Sequence, residues 1–473
     1  MDAGLLSCTE IVHSCLRAAN GFDGALGAFA TRFDESALAS ARAADERRRA
    51  GDSGGTLSGI PLAVKDLILT SEGPTRAHSA VLDGGLPGQD AVSVRRLREA
   101  GGIIVGKAAT MEFAVGPPEQ VAEPDRLPSR ATHNPWDPAR WTGGSSAGTA
   151  CVVASGMALG GLGTDTGGSV RIPAALCGVT GMKPTYGLIP KTGCIPLAYS
   201  LDHIGPMARS AFDCALLLET LAGRDDGDPA SVDLVPQAYA AQLAAAPTVD
   251  LSGLTIGVDP LTRFVEPHVM DPAVPDVFAL AVAALVDLGA RVVPIELPLY
   301  EELTEVYNVT MTAEALAYHA LDLSTRWYDY GVGTRTLLAS GAFYTAADYV
   351  QAQRIRRAGQ KALAELFGTV DLVVTPTTSV AAPLLSELDR YYSVEGLAAL
   401  HTQYWNAVGN PAISVPMGFN GMGLPLGLQI VGPPFADGAV LLAADAYQHS
   451  TDWHRRVPDL VRSLYAEALS PQV

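Results

Sequence analysis

Charge is scarce in this chain of 473 residues: Asp, Glu, Lys and Arg make up only 17% of it, against 48% hydrophobic residues. That balance excludes a disordered, solvating polypeptide and points to a large globule with much buried backbone. Cysteine is scarcer still. The six present, Cys8, Cys15, Cys151, Cys177, Cys194 and Cys214, contain no C-x-x-C pair, so a disulfide scaffold is excluded and the six read as reduced, packing thiols. Basic residues are in deficit, 32 against 50 acidic, for a net charge of −18. A field of that sign repels phosphate backbones and anionic lipid, so neither nucleic acid nor membrane is expected as a partner. H-E-x-x-H and other converging ligand patterns are absent as well, and no metal or cofactor is expected. No basic segment followed by an apolar run opens the sequence, which makes the cytoplasm the expected compartment.

One long uncharged stretch, Trp141 to Thr164, covers 24 residues but carries seven Gly and three Ser. Such a surface suits hydrocarbon poorly and interrupts a continuous helix, so the stretch reads as a buried, tightly packed segment.

Around it the chain alternates helix and strand signals. Ser7-Cys8-Thr9-Glu10 fits a capping box, and apolar residues at helical spacing carry a first helix to about Ala19. A second runs from about Glu35 to Arg49, and Asp90 is placed to cap a third through Glu99. Pro61 to Leu69 reads as a buried strand, with Ile103 to Val105, Leu254 to Val258, Arg291 to Pro294, Asp371 to Thr375, Ala412 to Val415 and Leu426 to Val431 as further strands. Helices are expected near 209–221, 274–288, 300–323, 346–367, 396–407 and 437–449. The pattern is α/β.

Four Gly and Ser clusters compete as candidate sites. Gly51-Asp52-Ser53-Gly54-Gly55 spells a serine-protease loop, but only His13 precedes it, inside a predicted helix, so it reads as a turn. Gly144-Ser145-Ser146-Ala147-Gly148 fits G-x-S-x-G, yet Pro135 to Arg140 before it reads as a turn and not the strand that motif requires. Gly161 to Gly167 misses the G-x-G-x-x-G register, and no Walker sequence exists. The fourth, Thr164 to Arg171, makes chemical sense: Gly167-Gly168 lets successive amides turn toward one point and hold an oxyanion beside Ser169. That serine needs a base, and Lys65, in the apolar strand Leu62-Ala63-Val64, is a candidate once desolvation makes its amine neutral. Half neutrality at pH 8 requires a downward displacement of ~2.4 pKa, about 3 kcal/mol.

Three distant segments, Gly59 to Asp66, Gly143 to Gly148 and Gly163 to Pro173, together resemble the amidase signature family. So do Gly181 to Gly187 and Gly427 to Val431, and the offset from Ser145 to Ser169, 169 − 145 = 24, is similar to that between the family's two catalytic serines. The resemblance implies a single domain over residues 1–473 with its core at about 60–210, built on a central mixed β-sheet flanked by helices on both faces. It implies Ser169 as the acylated nucleophile, Ser145 as a bridging serine beside a cis peptide bond, and Lys65 as terminal base. Thr166, Gly167, Gly168 and Ser169 would supply oxyanion-hole amides, with Ser146, Asp165 and Arg171 structural nearby and Asp165 paired to Arg171. Asp202 and His203 would have no catalytic role.

The expected activity is a serine hydrolase that cleaves the C–N bond of a small, partly apolar amide, carbamate or urea, with no other partner than that small molecule and a homo-oligomer left open. The alternative within the same resemblance is the glutaminase-like subunit of a tRNA-dependent amidotransferase, which would need partner subunits and glutamine. Val115 to Ala131 and helices across 300–350 are expected to line or cover the pocket.

Overall fold

The computed structural model describes residues 5–463 except 53, 83, 118–130, 235–236 and 246–249. Thirteen strands occur among them: β1 Phe29–Arg32, β2 Pro61–Lys65, β3 Ile103–Ala108, β4 His133–Asn134, β5 Asp137–Trp141, β6 Gly160–Asp165 and β7 Thr180–Lys183, then β8 His203–Ala208, β9 Thr255–Val258, β10 Arg291–Pro294, β11 Leu372–Pro376, β12 Ala412–Phe419 and β13 Pro425–Val431. Eleven form one sheet in the order β1-β3-β2-β6-β8-β7-β12-β13-β11-β9-β10. It is mixed: β2 runs parallel to both β3 and β6, whereas β6, β8, β7, β12 and β13 pair antiparallel in succession. The first six strands in that order come from residues before 209 and the other five from residues after 254, so two halves of the chain meet at the β7–β12 seam.

Strand alternation sorts side chains to two cores. Leu62, Val64 and Ile104 join a core with Val94 and Leu97 of the helix Val92–Glu99 and with Leu217, Leu218 and Leu221 of Ala211–Leu221. Ala63, Ile103 and Val105 face the other way, onto Val12 and Leu16 of Cys8–Leu26 and onto Ala150 and Val152 of Ala147–Ala154. Helices therefore cover both faces, in an α/β fold built as one large domain around the sheet. By the same period Lys65 shares the Ala63 side.

The uncharged stretch is interior, since all eight residues of the helix Ala147–Ala154 are buried. Among the described residues no helix is long and apolar enough to cross a membrane.

Several boundaries differ from the sequence reading for local reasons. The first helix keeps its Ser7 capping box but continues to Leu26, where Gly27 closes it at φ 60°. Strand β2 stops at Lys65 because the amides of Leu67 and Ile68 both turn back onto the Lys65 carbonyl. Asp90 does not cap the third helix: its carboxylate accepts from Ser71 N and Arg98 Nε, and Ala91 holds the cap position. The expected helix 396–407 is two, Val394–Ala398 and Gln403–Val408, because the chain between them bonds back to residues 377 and 379. Within Pro135 to Arg140, read as a turn, the chain from Asp137 onward forms the strand Asp137–Trp141, which pairs with β4 in a separate ribbon and bridges to Leu384 through Arg140. Ser53 lies outside the described residues, as does most of the expected pocket segment Val115 to Ala131.

Candidate active site

Lys65 ends β2 with no exposure at all, its amine beneath the loop that enters the helix Ala147–Ala154. Three hydroxyls surround the amine: Ser145 Oγ at 2.7 Å, Thr164 Oγ1 at 2.8 Å and Ser146 Oγ at 3.0 Å. The Gly144–Ser145 peptide is cis. The adjacent Asp66 points away, 3.5 Å from Lys107 in a buried pair. Burial draws the Lys65 amine down to about 7, against the opposing pull of Cys194, Asp165 and Asp202. An amine at that value is part neutral at pH 7.

A neutral amine offers two N–H donors and one lone pair, and the three hydroxyls divide accordingly. Ser146 commits its own hydrogen to the Thr164 carbonyl at 3.1 Å, so toward Lys65 it acts as acceptor. With Thr164 Oγ1 taking the second N–H, the lone pair is left for the hydroxyl hydrogen of Ser145. Thr164 is a contact the sequence reading missed. It sits on β6, beside β2 in the sheet, and only that pairing reveals it.

Ser169 follows β6 in the Gly-rich loop, its peptide fixed by the bond from Ser146 N to Ser169 O at 3.1 Å. Its hydroxyl makes no hydrogen bond to a described residue and, with Ser145, faces a cavity of about 1030 Å³. The structure thus joins Lys65 to Ser145 directly and sets Ser169 on the same cavity without closing the bond between the two serines. Met111, Trp141, Tyr307, Tyr391 and Leu400 supply apolar wall, and Arg263, Glu266, Glu301 and Glu305 supply charge. The helix Tyr300–Thr325 forms one side, as expected of the 300–350 region, and Val115 and Gly116 reach the opening.

Of the four amides expected to face an oxyanion, one is occupied. Gly168 N–H donates to Asp165 Oδ1 at 2.8 Å, while the amides of Thr166, Gly167 and Ser169 have no acceptor among the described residues. Asp165 also accepts from Val170 N and pairs with Arg171 at 2.9 Å, both side chains fully buried. Burial alone would raise the Asp165 carboxyl, but the Arg171 guanidinium, with Lys183 and the Asn406 bond, outweighs it and holds the group well below the usual carboxylate range. All five Arg171 donors are used: two on Asp165, the others on the Thr402 carbonyl, Gln429 Oε1 and Asn406 Oδ1. Thr402 Oγ1 in turn donates to Gly167 O at 2.7 Å. Gln429 stands in a motif segment of the sequence, but Thr402 and Asn406 carry no local signal, since only the fold brings them to the loop.

His203 has other partners. Its Nδ1 lies 2.6 Å from the Leu201 carbonyl and its Nε2 3.4 Å from Lys183 Nζ. Among the described residues no group of His, Cys, Asp and Glu is arranged to hold a metal ion.

The family described as Amidase matches residues 10–441. The chain is 39% identical to the A subunit of glutamyl-tRNA(Gln) amidotransferase from Chloroflexus aggregans, across 98% of this chain and 97% of that one. The solved structure of the protein of the same name from Thermotoga maritima superposes with a TM-score of 0.75 at 32% identity, covering 94% of each chain. A crystal structure of an amidase gives 0.80 at 32% identity, over 95% of this chain and 97% of that one. The likeness to amidotransferase subunits corrects two expectations. A stand-alone hydrolase of small amides, carbamates or ureas is not what these relatives are named for, and a small molecule as the sole partner, with nucleic acid excluded, does not describe a component of a tRNA-dependent enzyme. Net charge misled here because it describes one chain's surface, whereas one member of a complex can leave polyanion binding to the others.

Proposed function

The chain belongs to the amidase signature family of enzymes acting on C–N bonds, and from that premise we propose that it is the glutaminase-type A subunit of a tRNA-dependent amidotransferase. The observation that carries this reading is the 39% identity extending over 98% of the chain. The cavity wall carries Glu266, Glu301 and Glu305, which suit the ammonium group of an amino acid, beside Arg263, whose guanidinium is paired with Asp259.

In this reading Ser169 attacks the side-chain carbonyl of glutamine. Its proton passes through the Ser145 hydroxyl to neutral Lys65, and a rotation of the Ser169 side chain completes the link between the serines. The amides of Thr166, Gly167 and Ser169 hold the developing oxyanion. As the tetrahedral intermediate collapses, the C–N bond breaks, the proton returns to the departing nitrogen, and ammonia leaves a glutamyl ester on Ser169. Water then releases glutamate. The ammonia is delivered to partner subunits, which hold the tRNA that this acidic chain would repel. A cytoplasmic setting belongs to the same proposal, supported by six cysteines of which none forms a disulfide.

The test is reconstitution. Purified chain is combined with the remaining subunits of the Chloroflexus aggregans amidotransferase, and glutamine hydrolysis and glutamine-dependent amidation of Glu-tRNA(Gln) are measured. Assembly with both activities supports the proposal; failure to assemble, together with inertness toward glutamine, refutes it.

A further inference from the structure

Asp202 is eight positions beyond Cys194 in a turn that the mechanism above does not use, yet its carboxylate reaches the active-site loop. Oδ1 accepts from Thr166 Oγ1 at 2.6 Å and from Ala198 N at 3.1 Å, and Oδ2 accepts from Leu197 N at 3.0 Å. Thr166 lines the cavity and contributes one of the three amides without an acceptor among the described residues, so this hydroxyl bond fixes a residue of the proposed oxyanion site. The turn is itself anchored: Ser200 donates from N and Oγ to Glu314 on the helix Tyr300–Thr325. Its carbonyl accepts from Arg356 on Ala346–Leu366 at 2.8 Å. A rigid support therefore runs from the outer helices through the turn to the oxyanion-binding amides.

We propose that Asp202 is a positioning residue for those amides, acting through the Thr166 hydroxyl. The inference rests on the acyl-transfer reading of Ser169. Two features separate it from a purely structural contact. First, among the described residues Thr166 makes one side-chain bond by which its peptide can be aimed, and Asp202 receives it. Second, Asp202 is electrically linked to the base. The titratable groups facing it are Lys65, Lys191, Cys194, Tyr186 and Tyr307. Burial pushes its carboxyl up to about 6, against the bonds from Thr166, Ala198 and Leu197 that favour the charged form. Ionised Asp202 favours the charged form of Lys65. Removing that charge therefore lowers the Lys65 pKa and makes the amine neutral at lower pH.

The experiment measures the second-order rate of phosphonylation by a fluorophosphonate probe on the full chain, per active site, from pH 5 to 9. Ser169→Ala is the control: labelling that survives it refutes the acyl-transfer reading itself. With that control met, Thr166→Val and Asp202→Asn are expected to slow labelling about 10- to 100-fold, somewhat less than outright loss of an oxyanion donor. Thr166→Ser, which keeps the hydroxyl, should stay within about 3-fold of wild type. Asp202→Asn should also move the acid limb below the wild-type position, whereas a structural defect would shrink the labelled fraction and leave the limb in place. Wild-type rates in Asp202→Asn, or an unmoved limb, overturn the proposal. If neither variant folds, the wild-type limb decides: Asp202 protonation near pH 6 removes the same charge, so the limb should flatten below pH 6, and a single-proton limb throughout overturns the proposal.

Discussion

The Gly168 amide donates to Asp165 Oδ1 at 2.8 Å, inside the same loop that carries Ser169. One N–H of the Gly-Gly pair is thereby spent on holding the loop's shape, and the amides on either side, of Gly167 and Ser169, have no acceptor among the described residues. The division follows from conformation, since Gly168 sits at φ 122°, a backbone region that side chains disfavour.

Replacing either glycine should damage the site by a different route. A Cβ at Gly168 would lie 2.0 Å from Thr402 Oγ1, and one at Gly167 would lie 2.2 Å from Tyr307 OH. Gly168→Ala is expected to lose both stability and labelling because strain and clash coincide. Gly167→Ala should lose labelling with a smaller change in thermal midpoint. Fluorophosphonate labelling beside calorimetry checks the pair, and equal behaviour to wild type in both would show that the loop yields to a Cβ at either position.

Turnover should rise with pH through about 7. Burial lowers the Lys65 amine to that value, and only its neutral form accepts a proton, so the rate falls as pH drops below it. Lys65→Ala should cost at least about 10²-fold in rate with folding retained. A pH–rate profile of wild type, flat from 6 to 9, would contradict the assignment.

Ser145 and Ser146 both touch Lys65 but should not be equivalent. Ser146 has its hydrogen committed to Thr164 O, whereas Ser145 stands free to relay. Ser145→Ala is expected to lose about 10²-fold or more in rate. Ser146→Ala should act chiefly on stability, about 1–3 kcal/mol for the buried groups left unsatisfied. Denaturant unfolding and labelling rates of the two variants make the comparison.

Arg171→Met should destabilise the fold by about 3–5 kcal/mol, because it leaves the Asp165 carboxylate buried without its cation. The wild-type sign can be checked with acid. Asp165 is held below its unfolded value near 3.8, so its contribution is complete above that pH and is lost only as pH falls toward the lowered folded value. Urea unfolding at pH 7 and pH 3 should show the wild-type advantage over Arg171→Met shrinking at the lower pH. A constant difference would remove the ion pair as its source.

The elements legible in the sequence were those whose signal is local. The capping box at Ser7 and the apolar runs of β2 and of β11 to β13 declare themselves within a few residues. Strand β6 was hidden because Gly160, Gly161 and Gly163 supply no side chains to set a period, although their bareness lets neighbouring strands and Thr149 approach closely. At the site, Lys65 and Ser145 fall into hydrogen-bond contact across 80 residues, a match that came from motif spacing. Thr164, Thr402 and Asn406 escaped notice because each depends on sheet order or on a helix far along the chain. The occupied amide of Gly168 could not be read either, since a pair of glycines announces freedom without saying where either N–H will point.

Three of the five acceptors around Arg171 come from Thr402, Asn406 and Gln429. A chain still emerging from the ribosome possesses every group assigned to bond cleavage long before those three exist. Until the last quarter is made, its guanidinium has only the two oxygens of Asp165 to close upon, and the reactive loop lacks the Thr402 bond to Gly167 O. The full set of anchors for the reactive loop is therefore complete only once residue 429 has been made, late in synthesis.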